Sequence, residues 1–357
     1  MAFLKIPNVK IKGLASAVPT PVKEIMGQPF FAEGEAEKVI ALTGIERTRC
    51  IPEGQTASDL GYEAANQLLN ELGWNRDEIE VLVYVSLARD YVTPPTSVLL
   101  QERLGLPRTC YCIDIPMACA GYVYGISMVS TLMSMGKIKK GLLIAGDTTS
   151  IQISPLDKGL WPLQGDSMSA TAFEYDETAD PIYFNSGADG AQGDAIIMPS
   201  GGTRNPFKAE DLEMHDMGDG SHRRGIDAIM DGMSVFGFAI TDPPKTIKAM
   251  VEHFGLNIDE IDYFIVHQAN KYIVEKIARK LKIPKEKIPL CLKDFGNTSS
   301  GSIALSATLN LTDSLPNQKA TAIISGFGSG LTWASAQIVL DHIVSLPLIE
   351  VPLDEKS

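Results

Sequence analysis

Cys119 lies in Ile115-Pro-Met-Ala-Cys-Ala-Gly-Tyr-Val-Tyr-Gly-Ile126, after a strand-like run and at the opening of a helix-like one. A helix amino terminus favours the thiolate, the form that attacks carbonyl carbon, and the small neighbours Ala118, Ala120 and Gly121 leave room for a substrate. A buried structural cysteine fits the same position. Asn297, in Asp294-Phe-Gly-Asn-Thr-Ser-Ser-Gly-Ser-Ile-Ala304, holds an equivalent place about 180 residues on, so both are expected to project from helix starts toward a common centre. His267, in Ile265-Val-His-Gln-Ala-Asn270, stands where a buried strand gives way to a helix, the end of a strand where α/β sites gather. A satisfied core histidine is the competing reading. Gly326-Phe-Gly-Ser-Gly-Leu-Thr-Trp333 fails as a nucleotide loop, since the third glycine of that pattern would fall on Leu331. Glycines at a sharp turn instead bring a backbone N–H close to a substrate carbonyl, as an oxyanion hole requires.

The other cysteines and histidines carry less. Thr-Cys-Tyr-Cys-Ile-Asp alternates like a strand and sets Cys110 and Cys112 on one face, which reads as core packing; no second pair is spaced for zinc. Cys50 and Cys291 give no signal. His215 and His222 sit in an acidic, glycine-rich stretch without the alternating ligands of a calcium loop, so a solvated loop is expected. His253 and His342 read as surface or packing residues.

Elements that repeat must position these groups. Asn70-Glu-Leu-Gly-Trp-Asn-Arg-Asp-Glu-Ile-Glu-Val-Leu-Val-Tyr84 is similar to Glu252-His-Phe-Gly-Leu-Asn-Ile-Asp-Glu-Ile-Asp-Tyr-Phe-Ile-Val266. Leu100–Pro107 is similar to Ile277–Pro284, and Gly141–Gly146 to Thr321–Gly326, all at an offset of about 180 residues. Apolar strands such as 81–85 and 264–266 alternate with amphipathic helices such as 272–282, where Ile273, Ile277 and Leu281 form one stripe. The chain therefore reads as two similar α/β halves, 1–176 with the cysteine and 177–357 with the histidine and asparagine. A loop-rich insertion is expected at about 185–224.

The 357 residues are 45% hydrophobic and 21% charged, ordinary globular proportions, and the net charge is −13. That charge argues against broad binding to nucleic acid or an anionic membrane. Five cysteines in so long a chain do not form a disulfide framework. Lysines stand where a signal peptide needs its apolar core, and nowhere do 18 apolar residues run together, so a cytoplasmic protein is expected.

Ala118-Cys-Ala-Gly, His267-Gln-Ala-Asn, Gly296-Asn-Thr-Ser and Gly326-Phe-Gly-Ser-Gly-Leu-Thr-Trp, in that order, resemble the β-ketoacyl-acyl-carrier-protein synthase III family of the thiolase superfamily. Leu42-Thr-Gly-Ile-Glu-Arg-Thr-Arg49, Gly165-Asp-Ser-Met-Ser-Ala170 and Met230-Asp-Gly-Met-Ser-Val-Phe-Gly-Phe238 add to the likeness, which runs from about residue 9 to 340. The resemblance implies a duplicated α/β fold, a five-layered α/β/α/β/α sandwich, and a homodimer. It implies that Cys119 takes an acyl group from acyl-CoA or acyl-ACP (acyl carrier protein). His267 and Asn297 would hold the thioester carbonyl of malonyl-ACP during loss of CO₂, with backbone N–H groups of Cys119 and Gly330 as a second oxyanion hole. No metal, nicotinamide or flavin cofactor is implied. Tyr91, Trp161 and Phe236 are expected to line the acyl pocket, and Lys271, Lys276, Arg279 and Lys280 to offer an acidic carrier protein a cationic face.

The departures matter too. A Trp and an Arg that grip CoA in acetyl-CoA-primed members align with Lys38 and Leu42. A further Arg is Ile151, and an Arg used for carrier docking is Tyr272. These departures point to a priming acyl group carried on ACP or on an unusual CoA ester. Two other readings stay open: a specialised condensing enzyme or acyltransferase of a dedicated pathway, and a catalytically silent subunit of the same fold.

Overall fold

The computed structural model describes residues 2–353. Two sheets carry the fold. The first joins β2 (Val9–Pro19), β5 (Val81–Val85), β6 (Tyr111–Ile115), β7 (Lys140–Thr148) and β8 (Asp166–Tyr175), in the order β2-β8-β7-β5-β6. The second joins β1 (Ala2–Ile6), β9 (Ile182–Ala188), β14 (Tyr263–Val266), β15 (Lys319–Gly328) and β16 (Thr332–Asp341), in the order β1-β9-β16-β15-β14. In each, a parallel pair (β5 with β7, β14 with β15) is followed by two antiparallel neighbours. The repeat seen in the sequence is therefore also a repeat of strand order and direction. Short ribbons complete the strands: β3 (Val22–Glu24) with β4 (Arg47–Arg49), β10 (Ile196–Ile197) with β13 (Ile229–Met230), and β11 (His215–Asp216) with β12 (His222–Arg223).

The halves 1–176 and 177–357 do not keep their sheets to themselves. β1 lies on the edge of the second sheet against β9, while β17 (Val344–Ser345) and β18 (Ile349–Val351) pair with β2 in the first. The first four residues expected to open the loop-rich insertion, 185–188, finish β9: all four pair with β16, and Asn185 and Ser186 pair with β1 as well. Irregular chain begins at Asp189.

The helices fall into three layers. α4 (Gly121–Ser134) and α9 (Ser302–Leu311) lie between the sheets, where Val123, Ile126, Ile303 and Ala307 share one core with Val83, Leu143, Ile265 and Ile324. α2 (Ala57–Glu71) and α3 (Thr96–Arg103) cover the outer face of the first sheet. α5 (Gly232–Ala239), α6 (Asp242–Phe254) and α7 (Lys271–Leu281) cover that of the second. α1 (Glu35–Thr43) and α8 (Leu292–Phe295) are short helices at the join. Burial on both faces is why β5 reads Val-Leu-Val-Tyr-Val with every residue inside. Helix starts are set locally: Thr56 and Asp59 form a capping box on α2, and Asn270 caps α7 by accepting from the Ile273 amide at 2.9 Å. Among the described residues, no helix is long and apolar enough to cross a membrane.

Candidate active site

The middle helix layer brings the two halves' equivalent positions together. Cys119 sits two residues before α4, which rests on β5 so closely that a Cβ on Gly121 would come within 2.5 Å of Val85. Asn297 follows α8 and is separated from α9 by a 3₁₀ turn, Ser299–Gly301, so only the cysteine lies directly at a helix start. The main chain of Asn297 is clamped on both sides, its N–H donating to the Leu163 carbonyl (2.8 Å) and its carbonyl accepting from Gly165 (3.0 Å). His267 follows β14, its amide donating to the Ser325 carbonyl of β15 at 2.8 Å.

Ser299 touches all three. Its hydroxyl lies 3.7 Å from Cys119 Sγ, its amide donates to Asn297 Oδ1 at 2.9 Å, and its main chain faces the His267 ring. It holds φ of 51°, a left-handed conformation that a non-glycine residue keeps only where its surroundings impose it. Two further hydroxyls of the same run reach other partners. Ser302 Oγ is 2.8 Å from His267 Nδ1 and Ser300 Oγ is 3.3 Å from Asp147 Oδ2. Sequence reasoning singled out none of these serines; the only signal was the density of Ser in Thr298-Ser-Ser-Gly-Ser302.

Burial sets the protonation states. Cys119 is half-buried, and desolvation pushes its thiol up to about 12; the Ser299 hydroxyl opposes this and the Asp147 carboxylate adds to it. Loss of solvent thus works against the thiolate that a helix start favours. His267 is 2% exposed, and burial lowers its ring from 6.5 to about 4, so it is neutral at neutral pH. Its ring stands edge-on to Phe327, 5.2 Å between centroids. In His267-Gln-Ala-Asn270 the two amides are structural: Gln268 bonds the Val266 carbonyl at 2.7 Å and Asn270 caps α7.

The glycine run has a steric reason. A Cβ on Gly328 would come 2.8 Å from Cys119 Cβ and 3.0 Å from its sulfur, and one on Gly326 would come 2.7 Å from the Cys119 carbonyl oxygen. The end of β15 thus approaches the cysteine where only glycine fits. Gly330 has φ of 129° and precedes a cis peptide to Leu331, whose N–H and C=O pair with Asp189 at 3.1 and 2.8 Å.

The remaining sequence-predicted residues are spread out. Tyr91 is 61% exposed on the loop after β5. Trp161 packs edge-on against Phe30 and carries Lys23 Nζ 3.9 Å over its ring, while Phe236 stacks on Tyr272 at 5.7 Å. Lys271, Lys276, Arg279 and Lys280 ride on α7, Lys276 lying over the Tyr272 ring and Lys280 sharing a groove of about 480 Å³ with Lys245 and Lys248 of α6. Lys38 is exposed on α1, and Leu42 and Ile151 are also exposed. Cys110 and Cys112 pack against the core beneath α2 and α3. Among the described residues no three His, Cys, Asp or Glu side chains are grouped to hold a metal.

A doubled sheet-and-helix sandwich with these side chains at its centre defines a thiolase-like condensing enzyme, a class of acyltransferase. Residues 113–190 match the family described as 3-oxoacyl-[acyl-carrier-protein (ACP)] synthase III, and 251–340 match that family's C-terminal region. The chain is 30% identical over 334 residues to the β-ketoacyl-ACP synthase III of Clostridium perfringens, covering 93% of this chain and 99% of the relative. The Streptococcus pneumoniae enzyme of the same name is 29% identical, with 94% and 98% covered. A 3-oxoacyl-ACP synthase from Burkholderia xenovorans LB400 superposes with a TM-score of 0.91 at 32% identity, covering 98% of this chain and 99% of that one. The chain belongs to the 3-oxoacyl-ACP synthase III family.

Proposed function

We propose that this protein condenses an acyl group carried on Cys119 with malonyl-ACP, releasing CO₂ and forming a 3-oxoacyl-ACP, as in the initiation of fatty acid biosynthesis. The observation that carries the reading is the convergence of Cys119, His267 and Asn297 on Ser299. In the first step the cysteine sulfur attacks the acyl thioester carbon, the bond from that carbon to the carrier's sulfur breaks, and the carrier leaves as a thiol with the cysteine's proton. Backbone N–H groups of Cys119 and Gly330 would meet the oxyanion.

In the second step the bond from the malonyl methylene to its carboxylate breaks, CO₂ departs, and the electron pair becomes an enolate. Asn297 has Oδ1 engaged by Ser299, which leaves its amide nitrogen to donate to the thioester oxygen. Ser302 Oγ accepts from the Gln268 amide at 3.3 Å and so can donate its own proton to His267 Nδ1, placing the ring proton on Nε2 as the second donor. A histidine kept neutral by burial suits this role, because it donates without supplying a full charge to the enolate. The enolate carbon attacks the acyl carbon, the bond to the Cys119 sulfur breaks, and the departing thiolate takes a proton from water to restore the thiol. None of these steps calls for a metal, nicotinamide or flavin.

The expected partners follow from the surface. Lys245, Lys248 and Lys280 offer an acidic carrier protein a basic groove despite the net charge of −13. A homodimer is supported by β6, whose strand neighbour in the chain, β5, lies on one side only, and by its exposed Tyr111. The exposed, apolar Leu42 and Ile151 favour a priming carrier other than free CoA. We place the enzyme in the cytoplasm.

The test is intact-mass measurement after incubation with a panel of acyl-CoA and acyl-ACP donors, followed by malonyl-ACP decarboxylation. A mass gain lost in Cys119→Ala, with decarboxylation lost in His267→Ala and Asn297→Ala, is expected. No Cys119-dependent gain with any donor overturns the reading in favour of a silent subunit, and acylation without decarboxylation points to transfer onto oxygen or nitrogen.

A further inference from the structure

Asp147, next to last in β7, is fully buried, yet the condensation steps make no use of it. Its carboxylate is met by hydroxyls and one amide. Oδ1 accepts from Ser86 Oγ at 2.9 Å and from the Leu87 amide at 2.7 Å, Oδ2 accepts from Ser300 Oγ at 3.3 Å, and the Ser299 hydroxyl also faces it. Its charge acts on Cys119 at the mouth of α4 and on Tyr84 of β5. A carboxylate held this deep without a facing cation is costly, and an asparagine would fill the same space and could exchange comparable hydrogen bonds. Burial raises its pKa while the serine hydroxyls and the Leu87 amide favour the ionised form, so an acid at this position needs a reason other than packing.

Its position supplies one. Asp147 joins the loop after β5, from the first half, to the Ser299–Gly301 turn, from the second. Through Ser299 that turn reaches Cys119, Asn297 and His267. The backbone beneath it has no slack: a Cβ on Gly301 would lie 2.4 Å from Ser167 Oγ, and one on Gly146 would lie 2.1 Å from the Ser167 carbonyl oxygen. We propose that Asp147 is a positioning residue of the condensing site, its carboxylate fixing the Ser299–Gly301 turn against Cys119 and standing as a like charge to any thiolate there. It touches no substrate. The turn's fixed geometry is what lets the donors from the second half face an acyl group on the first. Burial is the larger reason the empty enzyme's cysteine stays a thiol; the ionised carboxylate adds to it, and acylation removes that added repulsion because a thioester carries no charge.

This inference rests on the proposed condensation for its kinetic arm only. Asp147→Asn is compared with the parent for the rate of Cys119 alkylation by iodoacetamide across pH 7–10, read by intact mass, and for kcat and KM of condensation. Removing the charge is expected to speed alkylation by about tenfold at a fixed pH below the thiol's titration, one pKa unit's worth. It is also expected to lower kcat by about tenfold or more while KM for the acyl donor holds, as loss of a transition-state contact would. Ser300→Ala, which keeps the carboxylate and frees the turn, is expected to lower kcat and leave the alkylation profile where it was. An Asp147→Asn enzyme whose alkylation profile and kcat both match the parent overturns the proposal. Should that variant not fold, a Ser300→Ala enzyme with the parent's kcat overturns it alone. Alkylation needs no substrate, so failure of the parent to decarboxylate malonyl-ACP would sink the proposed function and leave the alkylation arm to decide Asp147.

Discussion

Cys119 and His267 are both held away from their ordinary ionisation by burial, in opposite directions, and each displacement has a measurable sign. The thiol, pushed up to about 12, is expected to alkylate slowly at pH 8 and to keep accelerating beyond pH 9, where an exposed cysteine of pKa about 8.5 would have levelled off. Iodoacetamide labelling read by mass against pH checks this. For His267 the folded chain binds a proton only near pH 4, whereas the unfolded chain binds it from about 6.5 downward. Between those values the unfolded state takes up more protons, so this group's contribution to stability is complete above about 6.5 and is lost as pH falls toward 4. Urea midpoints measured across that window are expected to fall less steeply for His267→Asn than for the parent. The acid limb of decarboxylation is likewise expected well below the usual histidine range.

At the scale of elements, the site depends on segments with no chemistry of their own. Lys23 of β3 is half-buried, and its ammonium donates to the carbonyls of Trp161 (2.8 Å) and Gln164 (3.0 Å). Burial lowers its pKa, opposed by Cys50 and Asp166. The stretch it holds is the one that clamps the Asn297 backbone through Leu163 and Gly165. The clamp is tight, since a Cβ on Gly165 would lie 2.2 Å from the Phe295 carbonyl oxygen. Lys23→Met leaves two carbonyls without their charged donor and is expected to destabilise the fold by about 2 kcal/mol in denaturant titration. It is expected to lower malonyl-ACP decarboxylation while leaving Cys119 acylation near the parent rate. Equal loss of both activities would instead mark Lys23 as a general support of the fold.

For the whole molecule, the expected dimer and the carrier-protein partner draw on different surfaces. Ile113 is partly buried at the centre of β6, the edge strand of the first sheet. Ile113→Lys places a charge where a second copy would pair and is expected to shift the protein from dimer to monomer in light scattering behind size exclusion. The parent running as a monomer would remove the dimer from the account. On the other surface, Lys248→Glu with Lys280→Glu is expected to reduce kcat/KM for malonyl-ACP by about tenfold at low salt, and less at high salt, through lost electrostatic attraction. A small malonyl thioester without a carrier protein is expected to be used as before, which separates docking from chemistry.

The sequence by itself determined the doubled architecture and marked candidate residues for chemistry, because strand and helix patterns and residue types are written locally. Strand runs, helix stripes and the paired Asn-x-Asp turns at Asn75 and Asn257 repeat in order, and each of those turns closes with its asparagine side chain accepting from the aspartate amide. Cys119 and His267 were marked by their neighbours and Asn297 by its equivalence to Cys119 in the repeat, with structural readings open for the cysteine and the histidine. Only the tertiary structure decided their protonation, since desolvation depends on what distant segments pack around a group. It also decided why Gly326 and Gly328 are glycine, because the obstructing atoms belong to Cys119, some two hundred residues earlier. It set β1 in the second sheet and β17 and β18 in the first, pairings that strand patterning cannot address. The roles of Ser299, Ser300 and Ser302 were hidden for the same reason: neighbouring hydroxyls look alike in a sequence, and their different partners, Cys119, Asp147 and His267, come from three distant parts of the chain.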